Sequence, residues 1–211
     1  QDSLQVLKGN ISADLKVKGL IRDFNSLTYS GKAKIRNAGF KDLRLPSVVI
    51  DNLSCDITFD ANKILIETLT ALFNSEQLKG NAVIDSKKIK ADIDLQKYKH
   101  NELAIENIKG KITYSDNVIS SNDLKFNVFG GSVSSKNCKL IFAQKENILN
   151  ANCEVKNINI KQAFKTLDNF SQNVITDKNL EGDLSANGVL NLYFDKNFNF
   201  LSDKSSFNIN Y

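Results

Sequence analysis

The chain has 211 residues but only one proline, one histidine and three cysteines, with no tryptophan or methionine. A lone histidine, His100, and the absence of any Cys-x-x-Cys pair exclude the tightly spaced ligands of a zinc site. The odd cysteine count argues against a fold held together entirely by disulfides. No run of 18 apolar residues occurs, so no transmembrane helix is expected within the chain.

Concentrated positive charge is also missing. Lysine and arginine number 28 against 24 acidic residues, and the lysines alternate with apolar residues, as in ADLKVKGLIR. Nucleic-acid-binding proteins usually gather their basic residues into a patch or along one helix. We therefore expect no nucleic-acid partner, although this charge balance still allows a weak attraction to anionic lipid headgroups.

Sequence motifs of catalysis are absent as well. There is no dinucleotide-binding glycine motif, P-loop or HExxH. The FGGS segment at 129–132 is not followed by a helical pattern, so it indicates a turn. Asp92 and Asp94 form a candidate carboxylate pair for glycan hydrolysis, but they lie on the polar face of their segment. The prediction is a protein with no enzymatic activity, no catalytic residue, no metal and no cofactor.

Alternation of apolar and polar residues is abundant. The segments ISADLKVKGLI, IKADIDL and DLKFNVF each place their apolar residues on one face. This period of two is typical of antiparallel strands with one apolar face and one wet face. It predicts a mainly β chain: a long antiparallel meander of about ten strands over 1–156, one short helix near 161–169, and one or two hairpins at 180–211.

A short pattern recurs along the chain: an apolar residue, a polar residue, a small residue, a polar residue and then a strand. The first five of these small residues, up to Gly110, are spaced close to 25 residues apart, which is about the length of one hairpin. A glycine early in a strand suits a bulge, a bend or the close approach of another backbone. The small residues are Gly9, Gly31, Cys55, Gly80, Gly110 and Gly182.

One hairpin can be registered from its sequence, CKLIFAQKENILNANCEV. A turn at 144–147 would place Phe142 opposite Leu149 and Cys138 opposite Cys153. Two alternatives follow for the cysteine pair, a cross-strand disulfide or two small buried thiols, and the sequence does not decide between them.

The continuous apolar face has few predicted helices to cover it. The sheet can therefore fold onto itself as a sandwich or closed barrel, or curl into an open, taco-like groove whose lining is covered by a ligand with hydrocarbon chains. The composition shows no linker or charge block, so a single domain over 1–211 is expected.

The stretch NIKQAFKTLDNF followed by SQNVITDKNLEGDLSANGVL, from 159 to 190, resembles the C-terminal region of AsmA-like proteins, particularly those of Bacteroidota. GNISADLKVKGL and NVFGGSVS also look like this family. Ser171 stands where the family pattern has glycine. The matching residues are Val155, Ile158, Ile160, Phe164, Asn169, Phe170, Gln172, Ile175, Thr176, Asn179, Leu180, Gly182 and Leu184.

The resemblance implies an envelope protein related to TamB and YhdP, whose repeating β-groove carries phospholipid between membranes or supports outer-membrane assembly. Lipid acyl chains would be the partner, and an envelope protein bound without lipid is the alternative. The chain would be a periplasmic segment cut from a longer protein, tethered to the inner membrane by an N-terminal helix upstream of Gln1.

In such a groove the acyl chains would lie along the apolar lining, with no single residue essential. Two groups of residues are expected to form the site. The predicted lining consists of Leu15, Val17, Ile93, Leu124, Phe126, Val128, Leu140 and Phe142. The helix that caps one end would contribute Phe164, Leu167 and Phe170.

Overall fold

The computed structural model describes residues 4–20, 22, 27–42, 49–100, 102–171 and 173–210. These residues form antiparallel strands and one short α-helix, which confirms the predicted mainly β meander. Contacts divide the chain into two compact units, 1–96 and 97–211. Compact units are not by themselves separate domains, so the single domain stays a prediction. Pro46 lies outside the described residues.

The first unit is built from antiparallel strands that each pair with the next along the chain. Their inner faces are apolar in register: Leu15 lies opposite Gly31, and Ile93 lies opposite Gly80. The strands are β1 (Leu4–Lys18), β2 (Thr28–Asp42), β3 (Val49–Phe59), β4 (Lys63–Phe73), β5 (Glu76–Asp85) and β6 (Lys88–His100).

The second unit continues the antiparallel pattern and carries the helix. Two short strands, β8 and β9, follow one another between β7 and β10 and pair with both. The elements are β7 (Leu103–Ser115), β8 (Val118–Ser121), β9 (Leu124–Val128), β10 (Gly131–Phe142), β11 (Asn147–Asn159), α1 (Ile160–Thr166), β12 (Asp183–Phe194) and β13 (Ser206–Asn210), with short 3₁₀ turns at Asp168–Ser171, Asp177–Asn179 and Ser202–Lys204.

Among the described residues, six strands contain a non-glycine residue in the left-handed region, and each of these residues lies at a break in the strand register. An extra residue at a bulge lets the side-chain alternation change phase while the apolar residues stay on one face. In β2, for example, the inward positions are odd up to Ile35 and even from Ala38. The left-handed residues are Asn37, Asn52, Thr68, Asn107, Asn137 and Asn157.

Asparagine suits these bulges because, after glycine, it is among the residues that best tolerate the left-handed conformation. The backbone N–H of Asn37 donates to the Ser54 hydroxyl at 3.1 Å, and that of Asn157 donates to the Ser185 hydroxyl at 3.0 Å. A serine on the neighbouring strand thus satisfies an N–H that the bulge removes from the ladder.

Two of the recurring small residues mark places where a side chain would meet a neighbouring strand. A Cβ added to Gly80 would lie 2.3 Å from the backbone oxygen of Asp92. A Cβ added to Gly31 would lie 2.2 Å from the backbone oxygen of Asp14 and 2.8 Å from the ring of Phe59. The recurring small residue is therefore explained at these positions by close packing.

The predicted register of the β10–β11 hairpin is wrong by two residues. Phe142 pairs with Asn147, and the Ala143 N–H donates to the Glu146 carbonyl at 3.1 Å, so the connection is shorter than predicted. Cys153 consequently lies opposite Ser135. The bulge at Asn137 shifts Cys138 further, and both thiols are free.

Few of the described residues are fully buried. None of their side chains is less than 2% exposed, and most of the buried apolar ones are small. The 23.5 kDa chain exposes 14510 Å² of surface. A globular protein of this mass would expose about 9,800 Å², and two separate globules of half the mass about 11,800 Å². The buried apolar residues are Ala38, Cys55, Ala71, Val133, Ala151, Ile158 and Ala163.

Candidate functional site

An apolar cavity of about 710 Å³ lies in the second unit, between α1 and the strands that it covers. The polar side chains on its wall are those of Asn187 and Ser205, and Cys153 adds a thiol. The apolar lining consists of Val128, Phe129, Val133, Val155, Ile158, Ile160, Ala163, Phe164, Leu167, Phe170, Ile175, Leu184, Ala186, Leu190, Phe200 and Phe207, together with Gly188.

Helix α1 turns one stripe of side chains towards this cavity. Ile160, Ala163, Phe164 and Leu167 follow the i, i+3, i+4, i+7 spacing of a helix face, and all four line the cavity. Asn159 starts the helix, since its side-chain oxygen accepts a hydrogen bond from the Gln162 N–H at 2.8 Å. The chain thus passes directly from β11 into a lid over its own apolar face.

The helix ends three residues before the predicted boundary at 169, because the backbone becomes left-handed at Asp168, Asn169 and Phe170. The Asn169 side chain stabilises this turn by accepting a hydrogen bond from the Asp177 N–H at 2.8 Å. Left-handed backbone is costly for an aromatic residue, so the surrounding contacts must hold Phe170 in place. Its ring packs edge-on against Phe164 at 5.0 Å and Phe207 at 6.2 Å between centroids.

The stretch that resembles AsmA-like proteins builds this cavity. Its apolar members other than Leu180 line the wall. Its polar members stabilise the connecting loop: the Thr176 hydroxyl donates to the Asn179 side-chain oxygen at 2.8 Å. Gly182 in the same loop has a φ of +105°. Gln172 lies outside the described residues. The members on the cavity wall are Val155, Ile158, Ile160, Phe164, Phe170, Ile175 and Leu184.

Four of the predicted site residues meet at the cavity: Val128, Phe164, Leu167 and Phe170. Three others lie in the first unit, where Leu15 and Val17 are 59% and 50% exposed on the apolar face of β1 and Ile93 is half-buried on β6.

The remaining four predicted residues lie elsewhere in the second unit and do not line the cavity. Phe126 packs against the cluster that contains Val133 and Ile158. Leu124 lies over Gly110, and Leu140 pairs with Leu149. Phe142 packs against Phe198.

Sequence reasoning missed the part of the wall that comes from β12, β13 and the loop between them. Leu184, Ala186, Gly188 and Leu190 alternate along β12 and face inward. This alternation is visible in the sequence LSANGVL. The predicted β10–β11 hairpin also places the inward-facing residues of β11 on the apolar face, because a register error of two residues does not change the face of any side chain. Phe207 opens the alternating segment FNINY at 207–211, whereas Phe200 carried no sequence signal of its own.

The thiol on the cavity wall is not chemically activated. Burial raises the pKa of Cys153, and a hydrogen bond with Ser135 lowers it by less. Burial likewise raises the pKa of Cys138, with a smaller contribution from the nearby Cys153. At neutral pH both groups are protonated thiols, which are poor nucleophiles.

Neither a metal site nor a membrane-spanning helix is found in the part of the chain that the structure describes. No group of three or more potential metal ligands occurs among those residues. Asp92 and Asp94 pair across the sheet with Asn81 and Lys79, on the face opposite the apolar one. No helix there is long and apolar enough to cross a membrane.

No protein-family model, curated protein or solved structure matches the chain.

Proposed function

We propose that this chain is a non-enzymatic β-groove domain that binds lipid acyl chains, for phospholipid transport between membranes or outer-membrane assembly. The observation that carries the proposal is the apolar cavity under α1, whose wall contains no charged side chain. The AsmA-like resemblance supports a place in the bacterial envelope, with the chain in the periplasm and an inner-membrane tether in the parent protein.

The sheet supports an open groove in preference to a filled sandwich. A sandwich of this size would bury large side chains completely, whereas none of the described side chains is below 2% exposure. The chain also exposes about 2,700 Å² more than two separate globules of half its mass would expose. Exposed large apolar side chains such as Ile11, Leu15 and Val17 contribute to this surface, and a contiguous apolar face on a monomer calls for a ligand or partner to cover it.

The cavity is large enough for hydrocarbon. An apolar cavity of about 150 Å³ accommodates benzene. A cavity of about 710 Å³ therefore accommodates a hydrocarbon several times larger in volume. Burying about ten methylenes contributes about 8 kcal/mol before the cost of ordering the ligand. Affinity of this origin is spread over the whole wall, so no single contact dominates it.

The first test is the content of the protein as it is isolated. Native mass spectrometry of protein purified without detergent should show a population heavier by the mass of a lipid, and solvent extraction should release that lipid. Detergent-free protein that carries no lipid and takes up none from added vesicles would contradict the proposal.

Chain length should control affinity far more than the headgroup does, because the wall offers only Asn187, Ser205 and the Cys153 thiol as polar groups. Removing two methylenes should weaken binding about 15-fold. Exchanging carboxylate for alcohol should change it by less than about threefold. Displacement of a fluorescent fatty acid by octanoate, decanoate and decanol measures both effects. A preference for decanoate over decanol larger than the chain-length effect would contradict hydrocarbon recognition.

One observation favours the adaptor alternative. Strand β1 pairs with β2 along one edge, and none of the described residues pairs with its other edge. The side chains of Ile11 and Leu15 on β1 are 71% and 59% exposed. An edge strand of this kind is a template for strand addition by a partner protein. Amide exchange along β1 that slows when an envelope extract is added, in lipid-free protein, would support this function.

A further inference from the structure

A row of aromatic rings connects the surface of the second unit to the cavity. Phe198, at the tip of loop 195–200, is 52% exposed. Its ring centroid lies 6.4 Å from that of Phe142 and 6.2 Å from that of Phe194. Phe194 in turn lies 5.9 Å from Phe200, which lines the cavity. The apolar surface is therefore continuous from an exposed ring to the proposed ligand site.

The loop holds Phe198 in its exposed position through specific hydrogen bonds. The Asp195 carboxylate accepts the N–H of Asn197 at 2.8 Å and the N–H and side-chain amide of Asn199 at 2.9 and 2.8 Å. The backbone of Phe198 is left-handed, with a φ of +63°. A bulky residue is disfavoured there, so the loop holds an aromatic ring in water by means of a strained turn.

A second connection joins this loop to the β10–β11 turn. The Lys196 ammonium donates to the Ala143 carbonyl, and the Asn147 side-chain amide donates to the Asp195 carbonyl at 3.0 Å. Lys204 pairs with Glu146 at 2.8 Å. Acidic and basic residues balance at this edge, with Lys145, Lys196 and Lys204 against Glu146, Asp195 and Asp203. Contact through this edge would therefore depend on apolar side chains more than on net charge.

We propose that loop 195–200 docks on the surface of a phospholipid bilayer, with the Phe198 ring at the boundary of headgroups and acyl chains. This inference rests on the proposed function: acyl chains enter along Phe194 and Phe200. A protein partner would cover Phe198 equally well but would have no use for an apolar path into the cavity. Aromatic side chains on a polar edge suit the membrane interface.

The test compares Phe198→Ser with Val189→Ser, which removes an apolar side chain, 37% exposed, from the face of β12 opposite the cavity. Vesicles of phosphatidylethanolamine and phosphatidylglycerol that contain a fluorescent phospholipid serve as the donor. Phe198→Ser should lower the rate of transfer to the protein about fivefold or more, with little dependence on salt. Val189→Ser should leave the rate unchanged.

Decanoate, which dissolves as a monomer and needs no membrane, separates the two proposals. Phe198→Ser should bind it normally. Normal decanoate binding together with an unchanged transfer rate overturns the docking proposal and leaves the proposed function standing. Failure of the unsubstituted protein to bind decanoate or phospholipid overturns both.

A third variant, Phe198→Trp, guards against misfolding of the serine variant. Tryptophan suits the interface at least as well as phenylalanine, so vesicle binding should be retained or strengthened. A tryptophan variant that binds decanoate but transfers lipid as slowly as the serine variant overturns the docking proposal.

Discussion

Filling the cavity from β12 should remove acyl-chain binding while leaving the fold intact. Ala186 and Gly188 both face the cavity, and both lie within a regular strand. The double substitution Ala186→Phe/Gly188→Phe places two rings where the chain would lie. Decanoate affinity should fall about tenfold or more, since loss of two methylenes' worth of contact already has that effect. Fluorescent fatty-acid displacement measures the change.

The matched control for this prediction is Val189→Phe. Val189 lies on the same strand with its side chain on the opposite face, where it is 37% exposed. An added ring at that position does not reach the cavity, so affinity should stay within about twofold of the parent. Equal loss of binding in both variants would show that the chain does not lie under α1. Unchanged binding in the double variant would lead to the same conclusion.

Replacing the bulge asparagine Asn157 by valine should destabilise the protein by about 1–3 kcal/mol. Asn157 has a φ of +55°, and a β-branched side chain is strongly disfavoured there. The change also acts on the cavity, because Val155 and Ile158 on either side of the bulge both line it. In urea the unfolding midpoint should fall by about 0.5–1 M.

Two further variants make this result specific to backbone conformation. Asn157→Gly should be tolerated, since glycine adopts left-handed backbone without steric cost. Asn152→Val makes the same chemical change at an ordinary position of β11, where it should be neutral or stabilising because valine favours strands. The bulge explanation is wrong if Asn152→Val and Asn157→Val unfold at the same urea concentration.

The strands and the helix could be predicted because one-sided burial leaves a period in the sequence. Segments such as IKADIDL carry that period without interruption, and β6 runs as the pattern indicates. Helix α1 was predictable from the spacing of Phe164 and Leu167 behind an asparagine. Its early end was not, because a left-handed turn at an aromatic residue depends on tertiary contacts such as the one between Asn169 and Asp177.

The register predicted for the β10–β11 hairpin is wrong for a local reason. Alternation gives the face of each residue but not which residues are opposed, and a shift of two keeps every face the same. The bulge at Asn137 then moves Cys138 relative to Cys153. The sequence did carry a signal for the bulges. In five strands the left-handed asparagine follows a charged residue and precedes an apolar one, as in Arg-Asn-Ala at 36–38 and Lys-Asn-Ile at 156–158.

The cavity could be predicted only in part. The helix residues and Val128 were identified from their patterns, whereas Phe200 and Phe207 reach it from a loop and a strand that come later in the chain. Contacts between segments separated along the chain leave no periodic trace in one sequence. Predicted lining residues such as Leu140 and Phe142 lie on the correct face of β10, a strand that does line the cavity, but at positions beyond the part of the strand that reaches it.

The strand order of the first unit determines how insertion or deletion of residues would affect its sheet. Each strand of the first unit pairs with its neighbours in the chain, and no distant strand is needed to close the sheet. Stability in such an arrangement is a sum of local terms, as in repeat proteins. Insertion or deletion of a whole hairpin at a turn would therefore leave the other pairings intact and would change only the length of apolar face available to a ligand.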